Sequence, residues 1–515
     1  MQQRGMLLYL VLGILFILGA LPLLFMFCGT IETTDGLSLD AYKKMLQTPA
    51  LWQSFQNSLS LGLVVALLTT AAGTFLGVLI GKTTLLFRHF LLILLLIPLL
   101  IPPYVLAYSW FGLLGRETLL GTLLFGFWGT AFILFSIYLP IPILLTILFI
   151  RQINPKLEES ALLICGWPCV LKNITLPLIA PAMVFSFLLV FILSFGEFSV
   201  ANFLRYNVFP TESFTQFSAF YDFKTATVSA MPMLLIALIV IFIERRTSGK
   251  VLRFSTPYQP ILIALGKRQI PFLLIVALLT VITVLLPLLS LLWQIDGESF
   301  ALALKKAFAP LSRSILFAAL GATLLLFFGL LSAYGIENRL RGWKLLDGMM
   351  LFLFILPSTL IGIALILFWN RPYTNFIYGT VLIILFGYVV KYLFLSSKII
   401  ERKLAQIPHS LVESAELTGA SPLQILWFII IPLAKESLII AWLIGFIFSL
   451  RESTITMLVY PAGLDTLPLY IFTQMANGKP QIVASLCLIM IGIVILPLGL
   501  YFLSLYFTKK GAVVR

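Results

Sequence analysis

The residues whose types and spacing could do chemistry come in pairs about half a chain apart. Glu158-Glu159-Ser160-Ala161 is followed by Gly166 and Leu176-Pro177, and Glu413-Ser414-Ala415 by Gly419 and Ile431-Pro432. Glu197 and Glu452 make a second pair. A polar, glycine-containing segment of the first kind suits docking better than bond making. Residues 411–417 can form one short helix, Gly419 can end it because glycine takes φ > 0 without steric cost, and Pro422 can open the next. The result would be a compact helix–turn–helix knob able to seat in a groove on a partner. The second pair is different. Carboxylates held among apolar residues are costly and usually face a polar interior, where they can meet a cation or a proton.

Other patterns carry less. Gly77-Val78-Leu79-Ile80-Gly81-Lys82-Thr83 looks like a phosphate-binding loop, but three residues separate its glycines where four are needed, and no strand precedes it. Gly81-Lys82-Thr83 reads instead as the end of a membrane span with an interfacial lysine. Cys28, Cys165, Cys169 and Cys487 give no disulfide framework. Cys165 and Cys169 read as small apolar filler, since no His or further Cys stands beside them to complete a zinc site. His89 and His409 lack metal-ligand spacing. The expectation is no catalytic constellation, no metal and no cofactor bound by this chain.

The elements that must position these residues are membrane helices. Of 515 residues 61% are hydrophobic and 10% charged, and mean hydropathy is +1.08. Apolar runs of about 20 residues match a hydrocarbon core of about 30 Å. In lipid every backbone group must be satisfied internally, which leaves helices or a closed barrel. The runs are continuous and lack the alternation of barrel strands. The predicted fold is all-α and polytopic, with about twelve spans near 6–28, 57–80, 90–112, 127–150, 181–203, 227–243, 271–293, 314–335, 346–369, 378–400, 436–459 and 482–507. The first of these is too long for a signal peptide and reads as a retained span. Pro102, Pro103 and Pro357 predict bends in the third and ninth.

With the N-terminus in the cytoplasm, the larger share of the 34 Lys and Arg falls in cytoplasmic loops. The net charge of +14 is therefore a topology signal and not a nucleic-acid footprint. Both termini are expected in the cytoplasm. Lys391 and Arg451 read as lying near span ends. The polar stretch from Glu244 to Gln269, with Arg245, Arg246, Lys250, Arg253, Lys267 and Arg268, divides the chain near its middle. It suggests a first half over 1–245, a linker over 246–270 and a second half over 271–515. The halves look like copies: Asn57-Ser58 matches Arg313-Ser314, Gly73 matches Gly329, Pro102 matches Pro357, Pro177-Leu178 matches Pro432-Leu433 and Glu197 matches Glu452. Six spans per half make the repeats parallel, with a pathway expected between them.

The two glutamate-containing loops resemble the EAA loop of ABC importer permeases, E-A-A-x-x-x-G-x9-I-x-L-P. The second copy keeps the spacing from Glu413 to Gly419 and Pro432. The first departs: aligning on Glu159 puts Cys165 at the glycine position, aligning on Glu158 puts Ile164 there, and Gly166 falls later still. The fused two-half arrangement resembles ferric-iron permeases, with thiamine and phosphonate permeases next. Ile101-Pro102-Pro103-Tyr104-Val105-Leu106-Ala107, Phe195-Gly196-Glu197-Phe198, Leu204-Arg205-Tyr206 and Gln216-Phe217-Ser218-Ala219-Phe220 carry the iron likeness. The resemblance implies a multi-pass protein of the bacterial inner membrane. It implies two ATPase subunits that use the ATP, a periplasmic solute-binding protein and alternating access.

Counting along the helices places Glu197 and Glu452 near the outer face, as candidate pathway residues or as ordinary interfacial carboxylates with Arg451 beside Glu452. Tyr108, Trp110 and Trp369 read as interfacial aromatics. A secondary transporter is the alternative from another class. It would need ionisable residues at mid-membrane, of which the spans show few.

Overall fold

The computed structural model describes residues 2–33, 36–115, 118–220, 222–229, 231–248 and 258–513. Among them the chain is helical, apart from a minimal hairpin pairing Glu32–Thr33 with Gly36–Leu37 and an isolated bridge between Thr83 and Ile263. Among the described residues ten helices are long and apolar enough to cross a bilayer, and two bent pairs bring the number to twelve. The bends fall at the prolines. Arg88–Leu100 meets Pro103–Leu114 at 102°, and Trp343–Ile355 meets Ser358–Trp369 at 105°. Proline lacks the N–H that would continue the ladder and pushes the residue before it out of helical geometry. Bends of this size make each pair a broken or re-entrant span.

The repeat persists in hydrogen-bonding detail. Ser58 Oγ accepts from the Phe209 N–H at 2.7 Å, and Ser314 Oγ accepts from the Leu467 N–H at 2.7 Å. Beside them Asn57 donates to the Asn207 carbonyl at 2.8 Å, and Arg313 donates to the carbonyls of Gly463 at 2.8 Å and Asp465 at 3.0 Å. Gly73 lets helix Pro49–Lys82 approach Pro142, and Gly329 lets helix Gly297–Glu337 approach Ser396. A Cβ on either would collide with those side chains.

Proline also explains the π-helical turns among the described residues, Phe16–Ala20, Leu171–Thr175, Val281–Leu285 and Leu426–Ile430. Each ends two residues before a proline: Pro22, Pro177, Pro287 and Pro432. A wider turn relieves the clash between the ring and the preceding carbonyls while the helix continues. At the second and fourth of these sites the helix that leaves a glutamate loop therefore runs on into the next span, Trp167–Phe195 in one repeat and Leu426–Arg451 in the other.

Compactness groups the helices into two units. One gathers residues 1–29, 294–354 and 358–515, and the other gathers 30–293 and 355–357. In the first, Leu8 packs against Gly335, and Gly19 stands against Leu353 and Val390. In the second, Val276 joins a core with Leu76, Leu95 and Ile143, and Ser290 Oγ donates to the Ser109 carbonyl at 2.8 Å. Each repeat's opening helix thus belongs to the compact unit formed mainly by the other repeat.

Lys250 and Arg253 of the polar linker lie outside the described residues. Residues 258–265 are tied to the first repeat: the Tyr258 N–H donates to the Arg151 carbonyl at 2.7 Å and the Ile263 N–H to the Lys82 carbonyl at 2.8 Å.

Several expectations need correction. Tyr108, Trp110 and Trp369 are buried among aromatic neighbours; Trp110 packs on Phe132 with centroids 5.0 Å apart. Ring size and amphipathy suit a core as well as a membrane boundary. Lys391 lies inside helix Leu382–Leu404, not near its end. It is buried, and its ammonium donates to the Phe354 carbonyl at 2.9 Å. That carbonyl stands just before the break at Pro357, where the last carbonyls of a half-helix need donors.

Candidate functional site

Each glutamate loop is two short helices joined by a turn. The first comprises Pro155–Leu162 and Trp167–Val170, the second His409–Leu417 and Pro422–Ile425. Asn154 starts the first loop, its side chain accepting from the Lys156 N–H at 3.1 Å, with Pro155 at the opening position. In the second loop Ser421 and Gln424 satisfy each other's backbone N–H groups, at 2.7 and 3.3 Å, as a capping box that opens the second helix.

The turns differ as the spacing suggested. In the second loop Gly419 has φ +86°, and the Ala420 N–H reaches back to the Ala415 carbonyl at 3.0 Å. That is the left-handed helix end that glycine permits. In the first loop the Ala161 carbonyl plays the part of Ala415, but it accepts from the Cys165 N–H, only four residues on, at 2.9 Å. Gly419 therefore has no counterpart in the first loop. Gly166 has φ −75° and is the N-cap of helix Trp167–Val170. Cys165 and Cys169 are joined by a disulfide across one turn, with Cα atoms 6.0 Å apart, which replaces the reading of them as filler.

The shared alanine acceptor aligns Glu159 with Glu413, and both are exposed. Glu158 then aligns with Val412 and faces inward. It is 1% exposed. One carboxylate oxygen pairs with the Lys82 ammonium, and the other accepts from Thr175 Oγ1 at 2.9 Å. Lys82 is the last residue of helix Pro49–Lys82, fully buried, with the Trp167 ring 5.6 Å from its nitrogen. It is an internal ion-pair partner and not the interfacial lysine expected. Ser160 and Ser414 bond back to carbonyls of their own helices, Lys156 at 2.9 Å and Leu411 at 3.1 Å. Leu176, Pro177 and Pro432 are exposed, and Ala161 and Ile431 half-buried. At the tips Leu163, Ile164 and Leu417 are each 89% exposed.

Glu197 and Glu452 occupy equivalent breaks in the following spans. Helix Leu176–Phe195 stops before Glu197 and resumes at Ser199–Phe203; helix Ile431–Arg451 stops before Glu452 and resumes at Thr454–Val459. Each carboxylate caps the resumed helix. Glu197 Oε1 accepts from the N–H groups of Ser199 and Val200 at 3.0 and 3.3 Å, and Glu452 Oε1 from that of Ile455 at 2.9 Å. Oε2 in each case meets a tyrosine hydroxyl: Tyr138 donates to Glu197 at 3.3 Å, and Tyr392 donates to Glu452. Ser358 adds a contact to Glu452 at 3.4 Å. Arg451 lies over the Phe448 ring, 5.0 Å from its centroid. The two tyrosines escaped the sequence reading, although they stand in the fourth span of each repeat at nearly the repeat spacing. Tyrosine in an apolar run reads first as packing.

The arrangement can transmit movement. A knob with an apolar tip continues through a π turn into a span, and that span breaks at a capped carboxylate. No group of three or more His, Cys, Asp or Glu suited to a metal occurs among the described residues.

The family described as "Binding-protein-dependent transport system inner membrane component" matches residues 73–253 and 325–507, one stretch in each repeat. The Fe(3+)-transport system permease protein FbpB 2 of Haemophilus influenzae is 23% identical over 91% of this chain and 93% of its own length. The ferric transport system permease protein FbpB of Actinobacillus pleuropneumoniae is 25% identical over 75% of this chain and 61% of its own. The spermidine/putrescine transport system permease protein PotC of Haemophilus influenzae is 28% identical over 38% of this chain and 75% of its own.

Proposed function

We infer the working of the molecule from its family: the chain belongs to the binding-protein-dependent transport system inner membrane components, and is the multi-pass membrane permease of an importer. We propose that both glutamate loops lie in the cytoplasm and each docks on one of two ATPase subunits. A periplasmic binding protein delivers the cargo to the opposite face. The observation that carries this reading is the pair of knobs, each continuous with a span and each ending in apolar side chains almost fully exposed. Leu163, Ile164 and Leu417 at the tips offer an apolar surface that a partner can cover.

The proposed cycle follows from that continuity. Closure of the ATPases displaces the loops. The rigid second helix of each loop carries the displacement through the π turn into its span. Glu197 and Glu452 hold the far ends by capping the resumed helices, so that the break between the two helical pieces is where the span can change direction. Glu159 and Glu413 are the exposed acidic residues of the docking surface, and Gly419 shapes the second turn.

Ferric iron is the proposed cargo, on the names of the relatives that cover most of the chain. Recognition of the cargo rests mainly with the binding protein, and the carboxylate–tyrosine pairs offer only oxygen donors, which suit a hard cation. Co-purification tests the reading. The chain should retain an ATPase subunit through detergent extraction, and uptake of labelled ferric iron should require ATP. Uptake that continues without ATP or any ATPase would favour a secondary transporter.

A further inference from the structure

We propose that Lys82 and Glu158 form a positioning latch that makes the first loop move as one body with helix Pro49–Lys82, a device the second repeat lacks. The inference rests on the coupling role just proposed for the loops. The pair joins three elements at one point: the end of helix Pro49–Lys82, the inward face of helix Pro155–Leu162, and the π turn entering the next span, through Thr175. Both side chains are out of solvent, 0% and 1% exposed, and Trp167 closes over the ammonium. The Lys82 carbonyl also receives the Ile263 N–H, so the same residue ties in the strap that follows the linker.

The second repeat makes the corresponding junction without charge. Asn338 stands at the Lys82 position, exposed, with its side chain bonded to the Tyr334 carbonyl of its own helix at 2.8 Å. Val412 stands at the Glu158 position and packs beside Ile400, Leu404 and Ile425. An apolar junction therefore suffices for this fold. Replacing a buried ion pair by apolar groups is often neutral or stabilising, so the pair is poor evidence for stability. What it adds is geometry: a buried carboxylate with two fixed donors holds one position, whereas an apolar contact tolerates sliding.

The test has two arms and compares wild type, K82M/E158V, which makes the junction apolar and places at 158 the valine found at position 412 of the second repeat, and the reversed pair K82E/E158K. In the purified chain alone, amide exchange over residues 155–175 should rise about 10-fold in K82M/E158V, with residues 409–430 unchanged. In the complex with its ATPase, ferric iron moved per ATP should fall about 10-fold in the same variant and recover in the reversed pair, within the usual range of coupling between sites. Monodisperse elution and an unchanged melting temperature show that the variant folds. Unchanged exchange over 155–175 would overturn the latch, and so would raised exchange with unchanged transport per ATP. If wild type shows no ATP-driven uptake, the importer reading fails on its own, and the exchange arm still decides whether the latch exists.

Discussion

At the scale of single residues, the two glycines of the loops make opposite predictions. Gly419 sits at φ +86° with open space around a would-be Cβ, so Gly419→Ala pays only for backbone conformation, about 1–2 kcal/mol. Gly166 is extended, and Gly166→Ala should be close to neutral. Thermal melts of the two variants check this directly. The tyrosines capped on carboxylates make a second contrast. Tyr392→Phe leaves Glu452, 7% exposed, short of a donor and should cost about 1–3 kcal/mol. Tyr138→Phe should cost less, because Glu197 is half-buried and its contact with the hydroxyl is 3.3 Å. Melting temperatures rank them. These residues also show what the sequence could and could not say. Glu413, Gly419 and Pro432 were legible because their spacing repeats a pattern. The partnership of Lys82 and Glu158 was not, because a lysine at the end of an apolar run looks interfacial and nothing local points to a carboxylate 76 residues on.

At the scale of elements, the prolines were the most informative letters. Pro102 and Pro357 predicted bends, and the bends are there, sharper than a proline kink alone. Pro177 and Pro432 stand out in the sequence as matched positions of the two repeats. Their larger effect is the π turn that precedes each one and keeps the loop helix and the span continuous. Pro432→Ala restores a backbone donor and favours regular α-helix, which shortens the turn and rotates the loop against its span. Transport should weaken by about 0.5–2 kcal/mol of coupling, roughly 2–30-fold, with the protein still inserted. Uptake assays normalised to membrane-extracted protein measure it. The helices packed through Gly73 and Gly329 should respond differently. Gly73→Leu places a side chain where Pro142 already stands and should destabilise by about 1–3 kcal/mol, read as a lower melting temperature.

At the scale of the whole molecule, hydrophobic runs foretold the spans, since length and composition decide what a bilayer accepts, and residues matched half a chain apart foretold the repeat. They did not foretell that helix Leu8–Ile31 joins the compact unit built mainly from the second repeat, or that helix Gly266–Trp293 joins the other. An apolar surface says that a helix is covered, not by whom. The proposed function requires both loops to pass motion from a partner into the spans. Proteoliposomes containing the chain and its ATPase, with ferric-loaded binding protein on the receiving side, test it most directly when wild type is compared with a variant carrying Glu413→Ala and Gly419→Ala. Wild type should accumulate iron in an ATP-dependent way, and the variant should continue to hydrolyse ATP with uptake lost. Wild-type uptake by the variant, or uptake that needs no ATP, would contradict it.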